Sequence, residues 1–289
     1  MAEITRVDMA DRPAAVKHGS QRKEKGVAMQ RTLLLAACGV LLTSSVTGAV
    51  YAQETWGTLK GQFLWLGTIP QPQTLDIERD AEVCGGKGLT DESLVVNEKT
   101  RGVRNVVIWL DSRSSVPIHP ELAASSAPVK LDNRGCRFEP RVSVLRTGGV
   151  LQLVNSDPVA HNAAVYLKRS TPFNDVIPQG MPLERTIRKA EQLPARIDCS
   201  IHPWMKAWLL VLDHPYAAVS DADGRFRLPR LPAGEWTFRV WQERVGYLKQ
   251  VGRSGSSEVL DRGQLKLAIP ADGELDAGEL IVSAESLKK

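Results

Sequence analysis

Three side chains that bind soft metals lie close together in the stretch RIDCSIHPWMKAW, at positions 196–208. Cys199, His202 and Met205 follow the spacing C-x2-H-x2-M. A redox-active copper favours a thiolate, imidazoles that suit both oxidation states, and at most a weak fourth ligand, so that its geometry changes little on electron transfer. The stretch therefore supplies three of the four groups of a site with two His and one Cys around the metal and a distant axial Met.

The segments on either side of this motif are typical of strands. ARIDC precedes it and AWLLVLDH follows it, and both are rich in apolar residues. The motif is therefore predicted to lie on a loop between two strands. Pro203 restricts its own backbone and disfavours helix at His202, so we expect a tight loop whose side chains turn back onto one point.

A second imidazole must come from elsewhere in a chain that contains five histidines. His161 lies in the stretch VNSDPVAHNAAVY, in a turn-rich loop after a predicted strand. A loop at the same end of a β-sandwich can reach the Cys199 loop, so we predict His161 as the second imidazole in preference to His214. The neighbouring Asn162 is expected to hydrogen-bond across to the segment that carries Cys199, as residues that support metal ligands do.

Residues 1–52 have the pattern of a leader for export. An apolar run follows Arg31, and small residues precede a predicted cleavage site after Ala52. The run is too short to cross a bilayer comfortably and has no charged stop, so we predict cleavage, no stable membrane span, and a periplasmic or secreted protein. Met29 is a more natural start than the first residue, and a lipoprotein cut before Cys38 is an alternative.

Removal of this leader leaves three cysteines in an oxidising compartment, so one must stay unpaired. Cys84 and Cys136 lie in plain strand and turn contexts, whereas Cys199 has His and Met beside it. We therefore predict a Cys84–Cys136 disulfide and a functional thiolate at Cys199. A zinc site of Cys84, Cys136, Cys199 and His202 is the structural alternative, but it leaves Met205 unused and exposes three thiolates to oxidation.

Composition narrows the functional classes. The formal net charge is +4, but the leader holds much of the excess of basic residues. No later segment interleaves basic and aromatic residues in the manner of a single-strand reader, so we expect no nucleic-acid partner. Only four histidines follow the leader, too few for a type-1 site and a trinuclear copper cluster together. Electron transfer by one copper is therefore expected, and catalysis is not.

The rest of the sequence predicts an all-β fold. Pro and Gly separate short runs rich in Val, Leu, Trp and Phe, and amphipathic helical windows are scarce. WGTLKGQFLWLG alternates as a strand does, and VRNVVIWLD is a continuous apolar run suited to a buried strand. Three glycine-containing turns between strand-like runs are typical of hairpins: Gly148-Gly149, Asp223-Gly224 and Ala233-Gly234.

Two stretches resemble a known family. NSDPVAHN followed at a distance by CSIHPWM resembles the cupredoxins, the blue-copper proteins, and the short ligand loop with Pro after His is most similar to amicyanin. The sequence after the loop resembles larger exported cupredoxin-like proteins labelled methylamine-utilisation proteins. Residues 221–236 resemble the carboxypeptidase regulatory-like β-sandwich module. The likeness covers roughly residues 130–250.

The resemblance implies a cupredoxin-like Greek-key β-sandwich, with one type-1 copper that transfers single electrons. It also implies roles for individual residues, namely equatorial ligands His161, Cys199 and His202, axial ligand Met205, and an electron-exit patch at the exposed edge of His202 and the apolar surface near Pro203 and Trp204. The partner implied is a redox protein whose identity the sequence leaves open.

The chain is longer than amicyanin and carries an additional cysteine pair. We predict an extension and signal peptide at 1–52, an N-terminal β segment at 53–124, a copper domain at 125–213 and a small regulatory-like sandwich at 214–289. The disulfide is expected to attach the N-terminal segment to the copper domain. Two alternatives remain open: a periplasmic copper-storage or chaperone protein, and a structural β-sandwich protein with a zinc or vestigial site.

Overall fold

The computed structural model describes residues 55–112, 115–124, 127–253 and 255–288, which belong to one compact unit. The predicted signal peptide at 1–52, its cleavage after Ala52 and the start at Met29 lie outside the described residues. None of the helices within the described ranges has the length and apolar character needed to cross a membrane.

Strands make up most of the regular secondary structure in the described part of the chain, so the all-β prediction is confirmed. The strands are β1 (Trp56–Leu66), β2 (Val95–Val96), β3 (Val103–Arg104), β4 (Val107–Leu110), β5 (Val129–Asn133), β6 (Phe138–Glu139), β7 (Val142–Arg146), β8 (Val150–Asn155), β9 (His161–Val165), β10 (Phe173–Ile177), β11 (Leu183–Thr186), β12 (Ala195–Asp198), β13 (Lys206–Leu212), β14 (Ala217–Val219), β15 (Arg225–Pro232), β16 (Gly234–Gln242), β17 (Gly246–Tyr247), β18 (Gln250–Arg253), β19 (Ser256–Val259), β20 (Gln264–Ile269) and β21 (Glu274–Ser283). The helical elements are one-turn helices α1 (Ala81–Cys84) and α2 (Pro120–Ala123) and the 3-10 turns Gly85–Lys87, Asp261–Gly263 and Glu285–Leu287.

Two sheets form the site sandwich, which contains the predicted ligands. One sheet has the order β10-β9-β12-β13-β7 and the other β11-β8-β5-β6. Leu151 and Leu153 of β8 and Ile197 of β12 are among the fully buried residues of the core that both sheets share. Burial alternates along β8, because successive side chains of a strand point to opposite faces.

Two other sheets form the flanking sandwich. Their orders are β15-β1-β21-β18-β19 and β14-β4-β16-β17, and β20 pairs with β16. Strand β1 lies between β15 and β21, and β4 lies between β14 and β16. The segments predicted as 53–124 and 214–289 therefore contribute strands to the same two sheets. The boundaries themselves stay a prediction.

Strands β4 and β13 are buried on both faces. Ile108 of β4 belongs to the core of the flanking sandwich, whereas Val107 and Trp109 pack in a separate apolar cluster with Leu210 and Leu212 of β13. The two sandwiches therefore meet through this cluster. This double burial explains the continuous apolar runs in both sequences.

The three predicted hairpin turns reverse the chain, but none of them joins paired strands. The Gly148-Gly149 turn connects β7 to β8, and the turns at 223–224 and 233–234 connect β14 to β15 and β15 to β16; each connection passes from one sheet to the other. Gly148 and Gly224 have φ of 82° and 77°, which explains the glycines. The hairpin prediction is therefore wrong, because β7 pairs in parallel with β13 and β8 pairs with β5 and β11.

Candidate metal centre

The C-x2-H-x2-M motif occupies the loop between β12 and β13. The Cys199 N–H donates to the Met205 carbonyl at 3.2 Å, and the Met205 N–H donates to the His202 carbonyl at 2.9 Å. These bonds close the loop into a compact turn. The loop continues a hairpin, since β12 and β13 pair antiparallel with Asp198 opposite Lys206.

His161 is the first residue of β9, one position inside a strand rather than in the loop before it. Strand β9 pairs antiparallel with β12, with Asp198 opposite Ala164. Continuing that register brings Asn162 opposite Ser200, next to Cys199. The sheet therefore brings together two ligand segments that are far apart in the sequence.

The ligand atoms of His161, Cys199 and His202 all lie within 4.8 Å of one another. The Cys199 Sγ is 3.8 Å from the His202 Nδ1, and the two imidazole centroids are 4.6 Å apart. All three residues are at most 1% exposed. One thiol and two imidazoles thus converge on a single buried point.

A carboxylate orients the His161 ring. The His161 Nε2 lies 3.1 Å from the Asp157 Oδ2. Since a carboxylate oxygen accepts, Nε2 carries the proton and Nδ1 presents its lone pair. This Nδ1 is buried and has no hydrogen-bond partner among the described residues. Burial, and then the proximity of His202, lower the pKa of His161, which favours the neutral imidazole that a metal requires.

A second carboxylate orients the His202 ring in the same way. The His202 Nε2 donates to the Asp80 Oδ2 at 2.8 Å, so its Nδ1 presents a lone pair toward Cys199. The resemblance implies an exposed edge of His202. The structure instead leaves His202 with no exposed surface: its ring packs beside those of His161 and Trp204, and its Nε2 is bonded to Asp80. That expectation is therefore corrected.

Asn162 bonds to the Cys199 segment. Its Oδ1 accepts from the Ser200 N–H at 2.8 Å and from the Ile201 N–H at 3.3 Å, and it lies 3.3 Å from the Cys199 sulfur. Its Nδ2 donates to Asn174 on β10 at 2.6 Å. Asn162 therefore holds the ligand loop against the strand that begins with His161.

The remaining residues of the motif divide into a buried and an exposed group. Met205 is 1% exposed and packs in the same core cluster as Cys199. Its role as axial ligand stays a prediction. Pro203 is exposed and Trp204 is partly exposed, and the Trp204 indole N–H donates to the Cys136 carbonyl at 3.1 Å. The electron-exit patch assigned to Pro203 and Trp204 also stays a prediction.

Cys84 and Cys136 form a disulfide, and Cys199 is the free, buried cysteine of the described residues. The disulfide joins the segment that carries Asp80 to the turn between β5 and β6. It also leaves no thiolate at Cys84 or Cys136. The alternative zinc site of three cysteines and His202 therefore does not form in this structure.

Sequence reasoning missed both carboxylates. Asp157 lies four residues before His161, and this short spacing beside a candidate ligand is a signal that could have identified it. Asp80 lies 122 residues from its partner His202, and no local pattern connects the two. His214, the rejected alternative, is buried elsewhere and accepts from the Tyr216 N–H.

The donor set fits a soft, redox-active metal. Two imidazoles and one thiol around a buried point match the trigonal arrangement that copper adopts in electron-transfer sites. The unpartnered His161 Nδ1 supports this fit, because a buried acceptor without a partner is costly unless a ligand satisfies it. Both imidazoles also have the carboxylate partners that metal-binding histidines commonly have.

No family model and no curated protein matches this chain. Among solved structures, the chain is similar to a Cu-containing nitrite reductase (NirK) from Thermus scotoductus, at 28% identity over 33% of this chain and 27% of that one, with a TM-score of 0.28. It is also similar to a purple cupredoxin from Nitrosopumilus maritimus, at 20% identity over 30% of this chain and 99% of that one, with a TM-score of 0.25. Amicyanin from Paracoccus versutus matches at 17% identity over 36% of this chain and 96% of its own, with a TM-score of 0.26. The match therefore spans about a quarter of the nitrite reductase and nearly all of the two smaller proteins.

Proposed function

We propose that this chain is an exported copper protein that transfers single electrons. One copper would be held by the Nδ1 atoms of His161 and His202 and by the Cys199 sulfur, with Met205 as a weak axial ligand. The convergence of the first three groups within 4.8 Å supports this proposal. When bound, the metal would supply a one-electron couple between Cu(I) and Cu(II).

The residues of the chain hold the ligands in place for this reaction. Asp157 and Asp80 fix the protons of the two imidazoles on Nε2, so that both Nδ1 atoms stay available. Asn162 accepts from two backbone N–H groups of the loop and lies within hydrogen-bond reach of the Cys199 sulfur. Asp157 and Asn162 are buried, and Asp80 bonds to the buried His202, so these contacts would hold the ligands in one arrangement when the metal changes oxidation state, which would favour fast electron transfer.

We propose electron transfer rather than catalysis. Four protein ligands would leave no open position on the metal for a substrate, whereas catalytic metal sites keep one open. Export and a protein redox partner belong to the same proposal. The support for export is the leader pattern at 1–52, which has the charge and apolar run of a signal peptide.

The test is the visible and electron-spin-resonance spectrum of the purified protein with Cu(II) added. We expect one bound copper and an intense visible band, and we expect Cys199→Ser to abolish the band while the protein stays folded. His119→Gln is the matched control, since His119 lies outside the ligand cluster and caps α2. An unchanged spectrum in the Cys199 variant would refute the assignment.

The axial role of Met205 needs its own variant. Met205→Gln should shift the reduction potential and retain the metal, because a weak axial ligand tunes a copper site without holding it. Complete loss of copper from this variant would contradict the axial role. A reduction potential equal to that of the wild type would contradict it equally.

Copper storage is the competing function, because the same ligands would hold Cu(I) well. An electron carrier should cycle reversibly between coloured and colourless forms with a redox dye and should release little copper to a competing chelator. Ready transfer of the metal to the chelator, without reversible cycling, would favour storage or delivery. Failure to bind any copper would identify the site as vestigial.

A further inference from the structure

We infer that Asp80 is a positioning residue for His202, and that the segment 73–91 closes the metal centre over this imidazole. We name this segment the cap. The inference rests on the proposed function, and it adds Asp80, a residue outside the site sandwich, to the residues that position the metal ligands. It also changes which surface a redox partner meets.

The cap is a loop between β1 and β2 whose two ends are joined by backbone hydrogen bonds. Its two arms are joined by the Leu75 N–H donating to the Leu89 carbonyl at 2.9 Å and by the Asp91 N–H donating to the Gln73 carbonyl at 2.8 Å. A β-bridge between Thr74 and Thr90 lies between these bonds. The base of the cap is therefore held by backbone bonds, and Asp80 lies near the middle of the loop.

The backbone places Asp80 at the start of α1 in an uncommon conformation. Its φ and ψ are 50° and 42°, in the left-handed region that Asp and Asn tolerate better than most residues. The Asp80 carbonyl accepts from the N–H groups of Val83 and Cys84 at 2.9 and 2.8 Å. The turn that orients the Asp80 carboxylate is thus tied directly to a cysteine of the disulfide.

The disulfide attaches the cap to the site sandwich. Cys84, Leu89 and Cys136 are buried together, and Val83 and Trp204 pack against them. The Trp204 indole also donates to the Cys136 carbonyl, and its ring lies 5.0 Å from the ring of His202. The cap therefore contacts the ligand loop at two points, through the Asp80 carboxylate and through the disulfide.

This arrangement has two consequences for the site. A carboxylate on the distal nitrogen of a ligating imidazole fixes the ring orientation and raises its basicity, and loss of such a partner typically weakens metal binding by about 10–100-fold. Because His202 has no exposed surface, a partner protein that docks at this end meets the cap and Pro203 rather than the imidazole itself.

The experiment compares two variants of Asp80 with a control in the same cap. Asp80→Gly removes the carboxylate and tolerates the positive φ, so it does not strain the turn. Asp80→Asn keeps the shape and one acceptor oxygen without the charge. Glu82→Gln is the control, because Glu82 is an exposed carboxylate in α1, with no hydrogen bond or ion pair to the metal ligands among the described residues.

The first readout uses the copper-free protein, so it does not depend on the proposed function. Nitrogen NMR of labelled histidine should show His202 as a single tautomer with the proton on Nε2, assigned by its loss in His202→Gln. Asp80→Gly should give a mixture of tautomers, and Glu82→Gln should leave the signal unchanged. A His202 signal that is identical in wild type and Asp80→Gly would overturn the inference.

The second readout is Cu(I) affinity by competition with a chelator. We expect a loss of about 10–100-fold for Asp80→Gly, a smaller loss for Asp80→Asn, and none for Glu82→Gln. A change of less than about twofold in Asp80→Gly would overturn the positioning role even if the tautomer changes. Wild-type protein that binds no copper would refute the proposed function, whereas the NMR measurement would still decide whether Asp80 fixes His202.

Discussion

Replacing Asp157 with alanine should lower the free energy of unfolding by about 3–6 kcal/mol. The Asp157 carboxylate is buried and accepts from the N–H groups of Gly135 and Cys136, both at 2.7 Å, and from the His161 Nε2 at 3.1 Å. A hydrogen bond to a charged group contributes about 1.5–3 kcal/mol, and a buried donor left unpaired adds to the loss. The two short backbone bonds alone therefore account for the expected range.

Urea unfolding of the copper-free protein, followed by tryptophan fluorescence, measures this loss. Asp175→Ala is the matched control, because Asp175 pairs with Arg185 at the surface, where the Arg185 side chain is 46% exposed. Such a surface pair contributes at most about 1 kcal/mol. The comparison therefore separates a buried carboxylate with three partners from a partly exposed one on β10, 17% exposed, that pairs with a surface arginine.

Asp157→Asn should fall between wild type and Asp157→Ala. Asparagine keeps one acceptor oxygen for a backbone N–H, but its NH2 group meets another donor where the second carboxylate oxygen stood. The reasoning is refuted if Asp157→Ala unfolds within about 1 kcal/mol of the Asp175 control. The carboxylate would then not be the link between the Cys136 turn and His161.

Three further predictions concern stability. Reducing the Cys84–Cys136 disulfide, which spans a sequence separation of 52 residues, should destabilise the protein by about 4 kcal/mol from chain entropy, and unchanged urea midpoints with and without reductant would contradict this. Burial lowers the pKa of His214, so the unfolded chain binds a proton at this residue more readily than the folded chain, and stability should fall as the pH drops through about 6.5. His214→Gln should reduce this loss of stability, measured as the difference between urea midpoints at neutral pH and at about pH 5.5. An equal difference in wild type and variant would contradict the prediction. Leu153→Ala, at a fully buried position, should cost about 2–5 kcal/mol, whereas Val259→Ala, 80% exposed, should cost less than about 0.5, and equal losses in thermal unfolding would contradict the core assignment.

Local patterns in the sequence were sufficient to predict strands and candidate ligands. Alternation and apolar runs predicted the all-β class, because a strand that buries one face or both leaves that pattern in its own residues. The spacing of Cys199, His202 and Met205 predicted a ligand loop, since the side-chain types themselves determine which metals they bind. Counting cysteines predicted the disulfide.

Strand pairing was not predictable from the same patterns. A glycine turn such as Gly148-Gly149 shows that the chain reverses, but the next strand pairs with whichever edge buries most apolar surface. In this fold that edge belongs to distant strands: β7 pairs with β13, and β1 pairs with β15 and β21. The sharing of sheets between the two ends of the chain arises from such long-range pairing.

The amino-acid sequence by itself determined the chemistry available at the metal centre: one free thiol, two imidazoles, and a thioether whose role stays a prediction. Only the tertiary structure decided which nitrogen each imidazole presents and how far each ring is shielded from water. Asp80 reaches His202 across 122 residues through a loop that the disulfide holds in place. Such contacts depend on how distant segments pack, and packing is a property of the whole fold that no local pattern of residues encodes.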